Sequence, residues 1–299
     1  MEFCVEERDD GKLLREYLRE RGVSAALLAK LKRHERGILL DGVRVTVRAV
    51  LHTGSVLTLA VEDEREGSVV ARDLPVDVLL RTADFAVLNK CADMPTHPSH
   101  GHFEDTLANA LAYHFAKDGV PFRPRFINRL DRNTTGAVLV AMHPLAAATL
   151  SRAMANGEIE KSYLALAHGE ITAPRVIKTG IRRQGESIIL REVCDVCEGD
   201  YAETLAEPLA FGGGLTLLRL SPRTGRTHQL RVHLAHIGHP LLGDELYGRA
   251  DGFGRHALHA ATLSFPSPTD GERVSVCAPL PADMLAVVKE MGWEVALHD

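Results

Sequence analysis

Apolar positions recur with two different periods along this chain, and the switches between them outline its elements. Near the start, Gly11-Lys-Leu-Leu-Arg-Glu-Tyr-Leu18 and Ser24-Ala-Ala-Leu-Leu-Ala-Lys-Leu-Lys32 repeat at helical spacing, with Ser24 as N-cap and Gly37 as stop. Ile38-Leu-Leu-Asp-Gly-Val-Arg-Val45 reads as strand, Asp-Gly turn and strand, and Ser55-Val-Leu-Thr-Leu-Ala-Val61 as a further strand. These segments form a small α/β unit over residues 1–62. The charged run Asp63-Glu-Arg-Glu-Gly-Ser68 opens a linker, residues 63–74, before a larger unit over 75–299.

In the larger unit, Phe85-Ala-Val-Leu-Asn89 and Gly136-Ala-Val-Leu-Val-Ala141 are continuous apolar runs, the mark of buried strands. Asp105 to Lys117 predicts a helix with Leu107, Leu111 and Phe115 on one face and Gly119 beyond its end. Pro144 suits the first turn of a helix running to Gly157. Ile159 to Ala167 alternates as a strand, short strands continue to about residue 220, and a last helix runs from about Pro281 to Met291. The order is mixed, not a regular βαβ series, which predicts an α+β fold.

At 299 residues, 45% hydrophobic and 25% charged, the chain has the composition of a soluble globular protein with room for a large core. No apolar run reaches the roughly 20 residues that span a bilayer, and the acidic N-terminus lacks a signal-peptide core, so a cytoplasmic monomer without a membrane partner is the default. Five scattered cysteines do not suggest a disulfide framework. The net charge of −5 argues mildly against nucleic acid, but arginines concentrate at 123, 125, 129 and 132, again at 219, 223, 226 and 231, and with Lys178 at 175, 182 and 183. Segments of that kind can follow a phosphate backbone whatever the total charge.

The chemistry centres on Phe126-Ile-Asn-Arg-Leu-Asp-Arg-Asn-Thr-Thr-Gly136, which sets Asp131 between Arg129 and Arg132. A carboxylate beside cations is favoured in its charged form, as a nucleophile or general base requires. In Lys161-Ser-Tyr-Leu-Ala165, a strand would place Lys161, Tyr163 and Ala165 on one face. In Arg223 to Gly248, Thr227 is a candidate cap for a helix with Leu230, Leu234 and Ile237 on its apolar face and Gly238 at its end. Histidines crowd at 228, 233, 236 and 239 and at 97, 100 and 102, and Cys194-Asp-Val-Cys197 is a single Cys-x-x-Cys. Zinc needs about four converging ligands, and no second close pair accompanies these, so no metal is expected.

The segment around Asp131 resembles the signature His-Arg-Leu-Asp-x-(Asp/Glu)-Thr-Ser-Gly of the RluA-type pseudouridine synthases. Asn128, Asn133 and Thr135 replace the family's His, acid and Ser. Lys161 to Ala165 resembles the family's Lys-x-Tyr-x-Ala, and Thr224 to Leu234 keeps Thr-Gly-Arg-Thr-His-Gln-Leu-Arg-Val-His-Leu unbroken. Val87-Leu-Asn-Lys90 is similar too, with Cys91 and Asp93 where Pro and Gly are usual. The resemblance implies a synthase fold with a central mixed, mainly antiparallel sheet flanked by helices, and an enzyme that cuts the N1–C1′ bond of uridine, turns the uracil and rejoins it through C5 without a cofactor.

It assigns Asp131 as the catalytic acid, Arg231 as its ion-pair partner and Tyr163 as a ring stacking on the base. Leu230 would pack against the base, Arg129 would fill the space left by the flipped uridine or hold a phosphate, and Arg132, Arg226, His228 and Gln229 would complete the substrate site. The first unit resembles a small αL-type RNA-binding domain, with Lys30, Lys32, Arg33 and Arg36 as phosphate contacts. Structured RNA is the implied partner, large-subunit ribosomal RNA first and transfer RNA second. A non-catalytic RNA-binding or ribosome-assembly factor on the same fold is the alternative.

Overall fold

The computed structural model describes residues 2–23, 25–60, 69–99, 101–117 and 122–293. Ser24, Gly119 and the charged run from Asp63 to Ser68 lie outside them. The first part is a four-stranded sheet in the order β1-β4-β2-β3, built from β1 (Glu2–Cys4), β2 (Ile38–Leu40), β3 (Val43–Arg44) and β4 (Val56–Leu59). It carries α1 (Leu14–Glu20) and α2 (Ala25–Arg33). Leu14, Tyr17 and Leu18 recur at helical spacing and bury against Leu31, Ile38, Leu57 and Leu59. The predicted Asp-Gly hairpin is present: Leu40 pairs with Val43, and Asp41 and Gly42 both have positive φ, as a two-residue turn of this hand needs.

The second part is an eleven-stranded sheet in the order β11-β10-β12-β13-β9-β14-β8-β6-β5, with β15 added to β14 and β7 to β8. Its strands are β5 (Asp77–Arg81), β6 (Phe85–Lys90), β7 (Arg125–Phe126), β8 (Thr135–Ala141), β9 (Glu160–His168), β10 (Arg175–Arg183), β11 (Arg191–Cys194), β12 (Asp200–Gly212), β13 (Leu215–Pro222), β14 (Leu258–Pro266) and β15 (Arg273–Cys277). The helices are α3 (Leu107–Lys117), α4 (Pro144–Ala155), α5 (Gln229–His236) and α6 (Ala282–Glu290). Every pairing is antiparallel except β8 with β14. This is the mixed, mainly antiparallel α+β sheet expected from the sequence. No helix among the described residues is long and apolar enough to cross a membrane.

β8 shows why its sequence is uninterrupted by polar residues. Val138 and Val140 join the core that holds α3 and α5, while Ala137, Leu139 and Ala141 join the core under α4. A strand buried on both faces needs apolar residues at both phases of its two-residue period. The first part docks on α4. Leu145 enters its core, Thr149 Oγ1 donates to Arg21 O at 3.0 Å, and Arg152 donates to the carbonyls of Arg19 (3.2 Å) and Glu20 (3.0 Å). A cation over the last carbonyls of α1 satisfies groups that the helix leaves unpaired.

At the parallel junction, Gly136 pairs with Ala260 and has φ of 107°. A Cβ there would stand 2.2 Å from Ala260 O. Glycine therefore lets β8 approach β14 and sets where the preceding loop ends. Gly136→Ala is expected to cost more than about 2 kcal/mol, through strain and displaced backbone together. Urea denaturation checks this, and an unchanged midpoint would count against a close approach at this junction.

Candidate active site

The loop from Asn128 to Thr135 carries Asp131 between β7 and β8, and almost every residue in it is tied down. Asn128 accepts from Leu139 N (2.7 Å) and donates to Ala137 O (3.2 Å), clamping the loop entrance to β8. Thr96 Oγ1 bonds both the carbonyl of Leu130 (2.9 Å) and its N–H (3.2 Å). Lys90, 1% exposed, donates to the carbonyls of Cys91, Met94 and Arg132, at 2.8, 2.8 and 2.9 Å. Burial pushes its pKa down to about 8.

Asn133 Oδ1 accepts from Asp93 N (3.2 Å), and Arg255 donates to Asn133 O (3.1 Å) while pairing with Asp283. Thr134 and Thr135 bond His256 and His259 at 2.7 and 2.9 Å. Asn128 and Asn133, two of the three departures from the signature, thus act as backbone clamps. Asp93, where the family has Gly, sits at φ 59°, a left-handed conformation that Asp tolerates better than most residues.

The cation at Asp131 comes from α5. Arg231 Nη1 donates to Asp131 Oδ2 at 3.4 Å. Its shorter bonds go to Asp244, Nε to Oδ2 at 2.7 Å and Nη2 to Oδ1 at 2.8 Å. Burial alone would raise the pKa of Asp244, but the hydrogen bonds and charge of Arg231 hold it below the usual carboxylate value. Asp131 Oδ1 has no hydrogen-bond partner among the described residues, and the carboxylate opens on a cleft of about 570 Å³.

The arginines flanking Asp131 in sequence do not pair with it. Arg132 is held by Asp93 and by His102 Nε2, and it stands outside the lining of the cleft. Arg129 is exposed on the cleft wall. Arg132 and Asn133 form a turn closed by Thr134 N donating to Asp131 O at 3.1 Å, and the opposite charges of Asp93 and Arg132 settle where Arg132 goes.

His228 precedes α5 in a left-handed conformation, φ 57°, with no side-chain cap. The helix starts at Gln229, so Thr227 is not its cap. His228 Nε2 lies 3.9 Å from Asp131 Oδ2, and Nδ1 lies 2.8 Å from Tyr247 Oη. Tyr247 Oη already accepts from Arg191 N at 2.9 Å. The arrangement that satisfies all three groups has Tyr247 donating to Nδ1, which leaves the imidazole proton on Nε2, toward Asp131. Burial lowers the pKa of His228, against the pull of Asp131, and so favours the neutral ring.

Tyr163 and Leu230, 8% and 7% exposed, form apolar walls of the cleft with Leu258. Burial, and then the charge of Asp131, push the Tyr163 phenol up, so it stays neutral. Lys161 and Arg226 stand along the same cleft. Gln229 also lines it, but its amide is fully engaged: Oε1 accepts from Thr224 Oγ1 (2.8 Å) and Arg226 N (3.0 Å), and Nε2 donates to Glu203 O and Thr204 Oγ1, both at 3.0 Å. With two donors and two acceptors spent, Gln229 shapes the turn before α5 and has no hydrogen bond left for a substrate.

Sequence reasoning missed Asp244, Tyr247, His256 and the structural use of Lys90. The lone acid in Leu241-Leu-Gly-Asp244 was the available signal for the first. Among the crowded histidines, His233 sits between Thr179 and Thr204, both at 2.9 Å, and His239 bonds His168 O. Lys30, Lys32, Arg33 and Arg36 are exposed and none lines the cleft.

Residues 84–236 match the family model described as RNA pseudouridylate synthase. The chain is 36% identical over 279 residues to the RNA pseudouridine synthase YjbO of Bacillus subtilis, covering 92% of this chain and 98% of that one. It is 36% identical over 260 residues to the ribosomal large subunit pseudouridine synthase D of Vibrio cholerae, covering 82% and 80%. Among solved structures it resembles the human RNA pseudouridylate synthase domain containing 1, with a TM-score of 0.59, 30% identity, and coverage of 73% of this chain and 95% of that one.

Burial lowers the pKa of His233 and His259 to about 4 and of His256 to about 3, from 6.5. Below pH 6.5 the unfolded chain binds protons at these rings and the folded chain does not, so stability falls as pH drops toward 4. Unfolding in that window is expected to take up on the order of three protons at these sites, read from the pH dependence of denaturation. A flat profile there would show that the rings are not buried neutral.

Proposed function

The chain belongs to the RNA pseudouridylate synthase family and isomerises uridine to pseudouridine in RNA; from that premise we propose that Asp131 is its catalytic carboxylate and large-subunit ribosomal RNA its substrate. The observation that carries the first point is the division of labour between the two oxygens of Asp131. Oδ2 is held by the buried Arg231, while Oδ1 is left for chemistry in the cleft. The charge of Arg231 steadies the carboxylate through a reaction in which charge moves between base and sugar.

The target base must leave its stack to reach a cleft of this kind. Tyr163 and Leu230 support the flipped uracil from its faces, and the Nε2–H of His228 offers a donor beside Asp131. Arg129, exposed at the cleft wall, occupies the place of the displaced base or holds the neighbouring phosphate. Arg226 serves the strand at the cleft edge, and Gln229 positions the turn that carries it. The assignment of ribosomal RNA draws on the relatives named for the ribosomal large subunit. The first unit serves as an RNA-binding module: Lys32, Arg44 and Arg48 border a groove there, and Lys30, Arg33 and Arg36 are exposed beside it in sequence. We take the protein to act as a cytoplasmic monomer.

Two measurements test this. Tritium release from RNA carrying 5-tritiated uridine is expected from the unaltered enzyme and expected to fall to background in Asp131→Asn; undiminished release by that variant removes Asp131 from the chemistry. Pseudouridine mapping of total RNA from a deletion strain is expected to lose positions in large-subunit ribosomal RNA. Losses confined to transfer RNA would assign the other substrate.

A further inference from the structure

Beyond the rim of the cleft, a second groove of about 290 Å³ is lined by Ile181, Arg182, Arg183, Arg191 and Asp200, and it shares Gly225, Arg226 and Thr227 with the cleft. Two adjacent cross-strand pairs of the β10–β11 ribbon are charged in contrasting ways. Arg182 stands opposite Glu192 and bonds both Glu192 (2.8 Å) and Glu198 (3.0 Å), so its charge is matched within the protein. Arg183 stands directly opposite Arg191. Like charges facing each other across a ladder are destabilising, and neither arginine has a carboxylate partner among the described residues.

Arg191 is also fixed. Its Nη1 donates to the carbonyls of Ile188, Ile189 and Leu190, and its backbone N–H bonds the Tyr247 hydroxyl that orients His228. One guanidinium is therefore pinned beside the catalytic turn while the other, Arg183, is exposed across from it. Asp200 is the one carboxylate lining the groove, against four arginines. An anion between Arg183 and Arg191 would turn a repulsive pair into a clamp.

We infer that this groove holds the phosphodiester backbone of the RNA strand leaving the cleft, with Arg183 and Arg191 gripping a phosphate between them. The inference rests on reading the cleft as the uridine site. It adds a sequence-independent contact by residues outside the segments that resemble the family's motifs, one that lengthens the footprint without touching the reacting base.

The test separates binding from chemistry by using full-length Asp131→Asn protein, with labelled oligouridylate followed by fluorescence anisotropy. Adding Arg183→Glu is expected to weaken binding of an oligomer of about 12 nucleotides roughly tenfold at low salt, and to make the log Kd against log salt slope shallower by about 0.7. A trinucleotide, too short to leave the cleft, is expected to bind equally well to both proteins. Arg183→Lys is expected to keep most of the affinity. An unchanged affinity and slope, an equal loss on the trinucleotide, or a loss with Lys as large as with Glu would overturn the inference. Tritium release by protein with Asp131 intact tests the reading of the cleft separately.

Discussion

The buried Arg231–Asp244 pair is the interaction on which the rest of the site depends. Arg231 is 5% exposed and Asp244 1%. Two charges so buried are held there only when geometry and further hydrogen bonds offset their desolvation. Here both conditions are met. The pair is bidentate, and Asp244 Oδ1 also accepts from the backbone of Leu246 and Tyr247. With Nε and Nη2 committed to Asp244, only Nη1 remains to reach Asp131. The guanidinium plane is therefore aimed before any substrate arrives. A lysine could not reproduce this, because its point charge lacks the fork that divides one side chain between two acids.

The acid is fixed by an independent device. Its loop is anchored at one end by Asn128 on β8 and at the other by Gly136 against Ala260, with Lys90 gathering three carbonyls in between. A buried ammonium is costly, and burial lowers the pKa of Lys90. Its three donors nonetheless match three carbonyls, drawing Cys91, Met94 and Arg132 together. The loop of Asp131 runs into the parallel β8–β14 pairing, the one departure from an antiparallel sheet among the described residues. The site thus stands where the sheet reverses its rule.

Much of this was legible because it is local. The apolar run of β8, the Asp-Gly hairpin and the motif residues Asp131, Tyr163 and Arg231 are each encoded in a few consecutive positions. What the sequence hid is convergence. Arg129 and Arg132 are neighbours of Asp131 along the chain, but the turn at Arg132 and Asn133 and the pull of Asp93 keep Arg132 from it. Asp244 lies beyond the end of α5 and meets Arg231 only after the chain turns back. Gln229 reads as a polar residue in a binding motif, yet its four hydrogen bonds are internal. Counting which donors and acceptors are already satisfied separates struts from contacts, and that count needs coordinates.

The net charge of −5 misleads for the same reason. It weighs every acid equally, although several are already paired with cations of the protein. Asp9 and Asp244 are 2% and 1% exposed, the first held by Lys12 and Arg21 and the second by Arg231. Asp283 closes on Arg255, and Glu192 and Glu198 on Arg182. Once these pairs are set aside, what faces the cleft and the groove beside it is Arg129, Lys161, Arg223, Arg226, Arg183 and Arg191 against Asp131 and Asp200. A phosphate backbone meets that local surface within roughly a Debye length, about 8–10 Å at ordinary salt, and is screened from acids farther off. An acidic chain can therefore present a basic path to RNA, because the sign that matters is set by which charges folding has already paired.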